Sequence, residues 1–510
     1  MIQITSLTIQ LKNNFTYLLK DVSFVINDND KVAIIGEESS GKSTLLNFIY
    51  NPEYISQYAT YKGNIAKTGS FYIFRQPFSY DKDETVSSYL LKENFYDFFP
   101  KDANYYKLEL GIDDDLLYSN EKLENLSGGE KTKLRLLIAF LNSCSTLLLD
   151  EPSKDLDYVA RLKLAKLIKE YRGTVVLISH DTILLKEATS STISLERDYN
   201  KKESILSFKN LDYKSFVDNT SMEREAKENK ILEIQREIKI RNDKKKKIES
   251  SVQEEMDKTT SRDPFKGMIL KHKMKAIKSM EKRYIKEDSL RETQIPHISE
   301  QFTFNFAFSP QNLKPITIDI DTLVVEDKVL SSNLHLMVAS GEKICFVGPS
   351  GIGKTTLLRN IYNKLSKGDN TLFYLPQNYE EIYDLNLSAL DILNPSGDKE
   401  IRDEISRALV YFHIAYEDIT IPLKNLSQGE LAKVFLSYAA IYPHSILILD
   451  EPTRSLSPLQ IPSFIKAIKE FKGTIIMVSH EIDLWDISTR CLSFNKEGFL
   501  DFKYWNSSSL

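Results

Sequence analysis

Residues 36–44 read GEESSGKST, and residues 348–356 read GPSGIGKTT. Each stretch follows a short apolar run, residues 32–35 or 344–347, of the kind that forms a buried strand. The pattern GxxxxGK[ST] builds a loop whose backbone N–H groups wrap phosphate oxygens at the start of a helix. The sequence therefore predicts a phosphate-binding loop (P-loop) in each half of the chain.

The motifs downstream of the two loops repeat in the same order. LSGGE at 126–130, LLLDEP at 147–152 and LISHD at 177–181 match LSQGE at 426–430, LILDEP at 447–452 and MVSHE at 477–481. The offset is 312 residues at the lysines and 301 at Gln76 and Gln377, and it stays at 300 for all three later motifs. A constant offset across several motifs indicates an internal duplication.

Each P-loop supplies groups that suit a nucleoside triphosphate with Mg²⁺. Lys42 and Lys354 are expected to reach the β- and γ-phosphates, and Ser43 and Thr355 to hold the metal ion. The predicted loop residues are Gly36, Glu37, Glu38, Ser39, Ser40, Gly41, Lys42, Ser43 and Thr44 in the first half, and Gly348, Pro349, Ser350, Gly351, Ile352, Gly353, Lys354, Thr355 and Thr356 in the second.

An Asp-Glu pair and a histidine end strand-like runs in both halves. Asp150 and Asp450 are expected to complete the Mg²⁺ shell, while Glu151 and Glu451 polarise an attacking water as general bases. His180 and His480 are expected to contact the γ-phosphate. An isolated acidic pair at a strand end is often a helix cap, but here it recurs in register with both P-loops.

P-loop, glutamine, LS-x-GE, DEP and SH in this order resemble the ATP-binding-cassette (ABC) superfamily. The resemblance implies that two cassettes pack head to tail and bind ATP and Mg²⁺ at two composite sites, with Gln76 and Gln377 touching both ligands. Site one joins the first P-loop, Gln76, Asp150, Glu151 and His180 to Ser427, Gln428 and Gly429. Site two joins the second P-loop, Gln377, Asp450, Glu451 and His480 to Ser127, Gly128 and Gly129.

Two positions depart from the family pattern. Gln428 replaces the glycine of LSGGE, and Ser457 stands where the first half has Asp157. The adenine-stacking residue is open as well, with Phe15 or Tyr17 as candidates in the first half and none near Val325. We expect both sites to be competent because both glutamates and both histidines remain.

The segment between the cassettes is strongly helical. Apolar residues recur every three or four positions over 222–256 and again from Leu270 to Tyr284, with Asp263-Pro264 between the two runs. The predicted α/β architecture is therefore two P-loop ABC domains, residues 1–217 and 313–510, joined by a long α-helical hairpin linker at 218–312.

The linker is basic although the chain is acidic overall. Residues 258–283 hold nine Lys or Arg and two acidic residues, against a net charge of -5 for all 510 residues. A solvated coiled-coil face is the plain interpretation of such a run, and a phosphate-backbone partner is the sharper one. The RNA-binding hypothesis names Arg262, Phe265, Lys266, Lys271, Lys273, Lys275 and Lys278.

Composition excludes several classes of protein. No apolar run approaches the length of a membrane-spanning helix, and the N-terminus lacks the pattern of a signal peptide. The three cysteines, Cys144, Cys345 and Cys491, are far apart and form no CxxC pair. We expect a cytoplasmic monomer whose two ABC domains pair within one chain.

Two cassettes joined by a charged hairpin resemble the ABC-F family, and the absence of an arm after Gln76 resembles its antibiotic-resistance branch. That branch implies binding of the bacterial ribosome at the tRNA exit site, with the hairpin near 23S rRNA and the P-site tRNA. It also implies relief from lincosamides, streptogramin A and pleuromutilins. A housekeeping ABC-F translation factor is the nearer alternative, and the duplicated ATPase subunit of an importer is the more distant one.

Overall fold

The structure is a computed structural model of the chain. It describes residues 1–13, 15–76, 78–95, 100–198, 203–257, 268–277, 279–280, 283–284, 303–310, 315–325, 328–348, 351–367, 371–495 and 498–501. Met1–Lys214 and Gln301–Leu510 form one compact unit, and Ser215–Glu300 forms a second. The predicted site residues outside the described part are Arg262, Phe265, Lys266, Lys278, Pro349 and Ser350.

The first half is built on one mixed sheet. Its strands are β1 (Ile2–Leu11), β2 (Tyr17–Ile26), β3 (Lys31–Gly36), β4 (Ala59–Lys67), β5 (Phe71–Phe74), β6 (Thr146–Asp150), β7 (Thr174–Ile178), β8 (Ser191–Asp198) and β9 (Glu203–Lys209). They lie in the order β4-β1-β2-β9-β8-β3-β7-β6-β5. Every residue of β3, β6 and β7 is buried, which explains why these parallel strands are continuous apolar runs.

The second half repeats the parallel part of that sheet. Its strands are β10 (Ile316–Val325), β11 (Lys328–Val338), β12 (Lys343–Phe346), β13 (Leu372–Leu375), β14 (Ile446–Asp450), β15 (Thr474–Val478), β16 (Arg490–Asn495) and β17 (Gly498–Asp501). The order β13-β14-β15-β12-β16 matches β5-β6-β7-β3-β8 of the first half, and β10 and β11 form a separate antiparallel pair. The duplication seen in the motifs is therefore present in the fold.

The halves differ at one edge of the sheet. The first half has eleven more residues between its P-loop lysine and its glutamine than the second half has. The longer connection in the first half contains a short 3-10 turn (Pro52–Ile55) and β4, which pairs antiparallel with β1. The extra sequence thus adds an edge strand to the first cassette.

Helices cover the sheets of both halves. In the first half they are α1 (Lys42–Tyr50), α2 (Val86–Lys92), α3 (Pro100–Leu110), α4 (Asp114–Leu117), α5 (Gly128–Leu141), α6 (Tyr158–Glu170) and α7 (Thr182–Ala188). After the linker helices α8 (Tyr213–Asp257) and α9 (268–277) come α10 (Lys354–Leu365), α11 (Ala389–Leu393), α12 (Lys399–Tyr411), α13 (Gln428–Ile441), α14 (Ile461–Glu470) and α15 (Ile482–Asp486).

Each half has a hydrophobic core on both faces of its sheet. Leu147 and Leu149 of β6 join one core, while Leu148 between them joins the other. Leu447, Ile448 and Leu449 of β14 alternate in the same way. Because both faces are packed, the ends of these strands are held rigidly, and the acidic residues that follow them inherit that rigidity.

The linker helices pack against each other. Val252, Leu270 and Ile277 form a buried cluster, with Met256 and Met274 against it. The Arg241 guanidinium lies 4.3 Å from the centre of the Tyr284 ring. Arg241 precedes Val252 in α8, whereas its partner Tyr284 follows Leu270 and Ile277, so the two helical runs are antiparallel, as in a hairpin. Helix α8 begins at Tyr213, nine residues before the start that the sequence pattern predicts.

Residues 303–310 fell within the predicted linker, but they pack in the second half. Phe304 and Phe306 are buried in its core, and the backbone N–H of Ala307 donates to the Ala439 oxygen at 3.1 Å. In this extended segment every second residue is a buried phenylalanine, whereas in the helices of the hairpin apolar residues recur every three or four positions. Among the described residues, no helix combines the length and apolar character that crossing a membrane requires.

Candidate active site

The P-loops connect β3 to α1 and β12 to α10. The Nζ atom of Lys42 donates to the backbone oxygens of Gly36 at 2.9 Å and Glu37 at 2.6 Å, and Lys354 donates to the Gly348 oxygen at 2.9 Å. Burial lowers the pKa of both lysines, while the carboxylates of Glu151 and Glu451 oppose that effect. Gly36 has φ 149°, and a Cβ there would lie 2.1 Å from the Leu195 oxygen, so glycine is required.

Asp150 and Asp450 end β6 and β14 beside the P-loops. Burial raises the pKa of each carboxyl to about 6, and hydrogen bonds with Ser43 and Thr355 act in the opposite direction. A buried carboxylate next to a hydroxyl is costly unless a cation compensates it. Oxygen ligands of this kind suit Mg²⁺, so the two Ser/Thr–Asp pairs fit the metal ion expected from the sequence.

Glu151 and Glu451 share an uncommon backbone conformation. Their φ angles are 50° and 48°, in the left-handed region that side chains with a Cβ rarely adopt. Backbone hydrogen bonds of 2.9 Å to Ile178 and Val478 on the neighbouring strands hold them there. Such strain is frequent at functional positions. Burial also raises the pKa of both carboxyls to about 7, which suits a general base at neutral pH.

The two histidines lie against these glutamates. The Nε2 atom of His180 is 3.6 Å from Glu151 Oε1, and that of His480 is 3.4 Å from Glu451 Oε1. Burial lowers the pKa of His180 to about 4 and that of His480 to about 3, so both rings are neutral at physiological pH. Glutamate and histidine are therefore brought together in each half, as the motif spacing predicts.

The LS-x-GE motifs begin helices α5 and α13 with matching caps. The hydroxyls of Ser127 and Ser427 accept from the N–H of Glu130 and Glu430, and each glutamate carboxylate accepts from the N–H of its serine. These capping boxes fix the helix N-termini, where backbone N–H groups form an anion-binding surface. Gly429 continues that surface, with its N–H directed at the first cassette.

Both half-sites open into one cavity of about 1260 Å³. Site residues that line it include Glu38, Ser39, Lys42, Ser43, Asp150, Glu151, His180 and Gln428 from site one, and Gly351, Gly353, Lys354, Thr355, Thr356, Gln377, Asp450, Glu451, His480, Ser127, Gly128 and Gly129 from site two. P-loop residues of each half thus share a cavity with LS-x-GE residues of the other, which matches the head-to-tail arrangement that the resemblance implies.

The remaining predicted residues take other positions. Gln76 is half-buried after β5 and does not line the cavity, in contrast to Gln377. The predicted site residues that also do not line the cavity are Gly36, Glu37, Ser40, Gly41, Thr44, Gly348, Ile352, Ser427 and Gly429. Lys271, Lys273 and Lys275 are exposed on α9.

The substitution at Ser457 alters the loop that follows it. Asp157 caps α6 by accepting from the Ala160 N–H at 2.9 Å. Ser457 caps no helix, and α14 begins only at Ile461 because residues 458–460 form a turn. The turn presents Gln460, whose Nε2 donates to Glu37 Oε1 at 2.9 Å. The sequence comparison located this departure but did not indicate the cross-cassette contact.

Arginine 161 is a second residue that motif reasoning missed. It lies near site two, where its charge affects the pKa of Glu451 and His480, and its Nε is 3.4 Å from Asp181 Oδ2. It belongs to the first half and therefore completes the electrostatic environment of a site in the second. Its counterpart at the 300-residue offset is Ile461. This difference between the two halves is the feature of the sequence that could have drawn attention to Arg161.

Comparison with known proteins identifies two matching regions. The family model described as ABC transporter matches residues 19–154 and 331–454, together just over half of the chain. Each region starts before a P-loop and ends after the Asp-Glu pair.

Several characterised proteins align with nearly the whole chain. Ribosome protection protein VmlR of Bacillus subtilis is 26% identical over 94% of this chain and 84% of its own length. The erythromycin resistance ATP-binding protein MsrA of Staphylococcus epidermidis is 26% identical over 89% of each chain. ATP-binding protein Uup of Buchnera aphidicola is 26% identical over 97% of this chain and 80% of its own.

Solved structures support the fold. A complex of archaeal ribosomal stalk protein aP1 with archaeal ribosome recycling factor aABCE1 matches with a TM-score of 0.57 and 16% identity, over 98% of this chain and 90% of that one. A structure of RNase-L Inhibitor matches with a TM-score of 0.55 and 17% identity, over 97% of this chain and 89% of that one.

Proposed function

The chain belongs to the ABC transporter family of ATPases, and from this membership we propose that it is an ATP-dependent, ribosome-binding protein of the antibiotic-resistance branch. It has two ABC ATPase domains, and the predicted α/β fold is confirmed. The relatives described above are ABC-F proteins, which confirms the resemblance inferred from the motifs.

The alignment with a ribosome protection protein over 94% of the chain is the observation that carries the proposal. The exposed lysines of α9 support it, because a helix that presents Lys271, Lys273 and Lys275 to solvent suits a phosphate backbone. We place the cassettes at the tRNA exit site of a bacterial ribosome in the cytoplasm, with the hairpin contacting 23S rRNA and the P-site tRNA. Drugs bound at the peptidyl-transferase centre, of the lincosamide, streptogramin A and pleuromutilin types, would then be displaced.

A trapping experiment tests the ribosome part of the proposal. Glu151→Gln with Glu451→Gln keeps the shape of both sites and removes the general bases, so ATP binds without turnover. We expect the double variant to co-sediment with ribosomes when ATP is present and to stay in the supernatant without it. A double variant that stays off ribosomes with saturating ATP contradicts ribosome binding and leaves the ATPase assignment intact.

Charge reversal tests the role of the hairpin. Lys271→Glu, Lys273→Glu and Lys275→Glu together should weaken ribosome binding, most strongly at low salt, and leave intrinsic ATPase activity unchanged. The matched control reverses Lys466, Lys469 and Lys472, three exposed lysines of the second cassette, for the same change in net charge. Equal losses in both variants would show that only overall charge matters.

Uup, named only as an ATP-binding protein, aligns as completely as VmlR does, and this observation favours a second candidate, a housekeeping translation factor. Expression in a drug-sensitive bacterium separates the two. The resistance function predicts a higher inhibitory concentration for at least one peptidyl-transferase inhibitor, and the Glu→Gln double variant should abolish it. Unchanged sensitivity to all three drug types supports the housekeeping role instead.

A further inference from the structure

The first P-loop carries two adjacent carboxylates that the second lacks. Glu37 and Glu38 occupy the positions that Pro349 and Ser350 hold at the 312-residue offset. A loop that receives a polyphosphate should repel further negative charge. Glu37 and Glu38 in the first P-loop therefore need a functional explanation that applies to site one and not to site two.

Glu38 is seated on the N-terminus of helix α13 in the other cassette. Its Oε2 accepts from the Gly429 N–H at 2.7 Å. The approach is close, because a Cβ at position 429 would lie only 3.0 Å from that oxygen and the Glu38 side chain would have to shift slightly. The first turn of a helix binds anions through such N–H groups and its positive dipole end. The carboxylate thus occupies an anion position that faces the P-loop.

Glu37 anchors the same loop to the second cassette. Its Oε1 accepts from Gln460 Nε2 at 2.9 Å, and its Oε2 lies 3.2 Å from Lys433 Nζ. His413 Nδ1 is 3.5 Å from Oε1. The Glu37 side chain is 15% exposed and that of Lys433 7%, so this ion pair is shielded from solvent, and removing either partner would leave a buried charge without compensation.

The cavity lining shows the effect of these contacts. Ser127, Gly128 and Gly129 all line the cavity at site two, whereas only Gln428 of the corresponding three residues does so at site one. Glu38 covers Gly429. In the first cassette, Ala160 stands at the position equivalent to Gln460. The hydrogen bond between Gln460 and the first P-loop therefore has no equivalent at site two.

We propose that Glu38 is a specificity-determining residue of site one that stands in for the terminal phosphate of a nucleoside triphosphate. In the absence of nucleotide it keeps site one closed on Gly429. A triphosphate must displace this carboxylate, because its last phosphate needs the same N–H groups. A diphosphate is too short to reach them, and it can bind while Glu38 stays in place. Site one is thereby biased toward the diphosphate, and site two is not.

Binding measurements on the full chain test the proposal independently of ribosomes. Every protein tested carries Lys354→Ala, which removes nucleotide binding at site two, so that the measured affinity is that of site one. The probes are ADP and the non-hydrolysable β,γ-imido analogue of ATP, both with Mg²⁺. Glu38→Ser, which supplies the residue of the second P-loop, should raise affinity for the triphosphate analogue by roughly ten-fold or more, the equivalent of one charge-assisted hydrogen bond. Affinity for ADP should change less than about two-fold.

Two further readouts protect the interpretation. Gln460→Ala loosens the anchor without altering the P-loop, and it should shift the triphosphate affinity in the same direction by a smaller factor. Hydrogen exchange of residues 427–431 without nucleotide should be slow in the parent protein and at least several-fold faster in Glu38→Ser. Equal gains for both nucleotides would show simple charge repulsion and overturn the proposal, as would unchanged exchange at this segment.

Discussion

The Nδ1 atom of His180 lies 2.9 Å from the backbone oxygen of Leu456, so the histidine of the first cassette is bonded to the second. A carbonyl oxygen can only accept a hydrogen bond, so the Nδ1–H group of His180 donates it. Because the neutral ring carries a single N–H, the lone pair of Nε2 faces Glu151. Site two has no matching bond in the described part of the chain. There the Leu156 oxygen accepts from Arg161 Nε at 2.9 Å.

This contact makes the two histidines unequal. We expect His180→Ala to slow ATP turnover and also to lower the free energy of unfolding by about 1–2 kcal/mol, because a buried cross-cassette hydrogen bond is lost. His480→Ala is the matched control, and it should slow turnover with a smaller loss of stability. Steady-state ATPase assays and urea unfolding measure both effects. Equal destabilisation by the two variants would contradict the asymmetry.

Glu481 should make stability depend on pH. Thr182 Oγ1 donates to its carboxylate at 2.5 Å, and burial, reinforced by the nearby Asp181 charge, raises the pKa of Glu481 from 4.5 to about 7. Between these values the unfolded chain has released the proton that the folded chain retains, so stability falls as pH rises from 4.5 to 7. Glu481→Gln removes this loss.

At pH 4.5 the free energy of unfolding of Glu481→Gln should be close to that of the parent. At pH 8 it should be larger by roughly 2–3 kcal/mol. Urea unfolding at several pH values gives the difference. Asp483→Asn, in a half-exposed pair with Lys186, serves as the control. The Asp483 charge makes only a minor contribution to the raised pKa of Glu481, so the pH-dependent gain of this variant should be much smaller. A constant offset between Glu481→Gln and the parent at all pH values would refute this assignment.

His444 should produce a change in the acid range. It is 4% exposed, its ring lies 5.5 Å from those of Phe373 and Tyr438, and burial lowers its pKa from 6.5 to about 4. Below pH 6.5 the unfolded chain takes up a proton that the folded ring rejects, so stability falls as pH drops toward 4. His444→Phe should abolish that part of the acid loss, worth about 2–3 kcal/mol.

Melting temperatures of His444→Phe and the parent, recorded between pH 4 and 8, would diverge only on the acid side. The same measurement on His335→Gln, which changes an exposed histidine paired with Asp319, shows how much the loss of a surface histidine contributes. Divergence at pH 8 alone would mean that the substitution acts through packing.

The hairpin core gives a local prediction. Leu270→Ala opens a cavity in the cluster with Val252 and Ile277 and should cost about 2–3 kcal/mol of local stability. Hydrogen exchange should quicken at 268–277 and near Val252, while intrinsic ATPase activity stays unchanged. Met268→Ala removes an exposed side chain from the same helix and should leave exchange near the parent rate. Slower turnover by Leu270→Ala would show that the hairpin influences the cassettes.

Short-range chemistry explains what the sequence could predict. Glycines, a lysine and a hydroxyl within nine residues define a P-loop by themselves, and Asp150 and Glu151 follow from the apolar strand before them. Contacts between halves lay beyond such reasoning. Glu37 meets Gln460 across 423 positions, and only the fold brings them together. The placement of Phe304 and Phe306 also depends on a core that forms from distant segments.

The hydrogen bond between Glu37 and Gln460 joins the two copies of the duplicated segment. The glutamate occurs only in the first copy and the glutamine only in the second. Once such a complementary pair exists, the copies can no longer exchange sequence freely, since gene conversion in either direction would remove one partner. A homodimer of the first half would place Glu37 opposite alanine, and a homodimer of the second half would lack the glutamate. Fusion in one reading frame solves this problem, because it delivers the two unlike halves in equal number and at high mutual concentration.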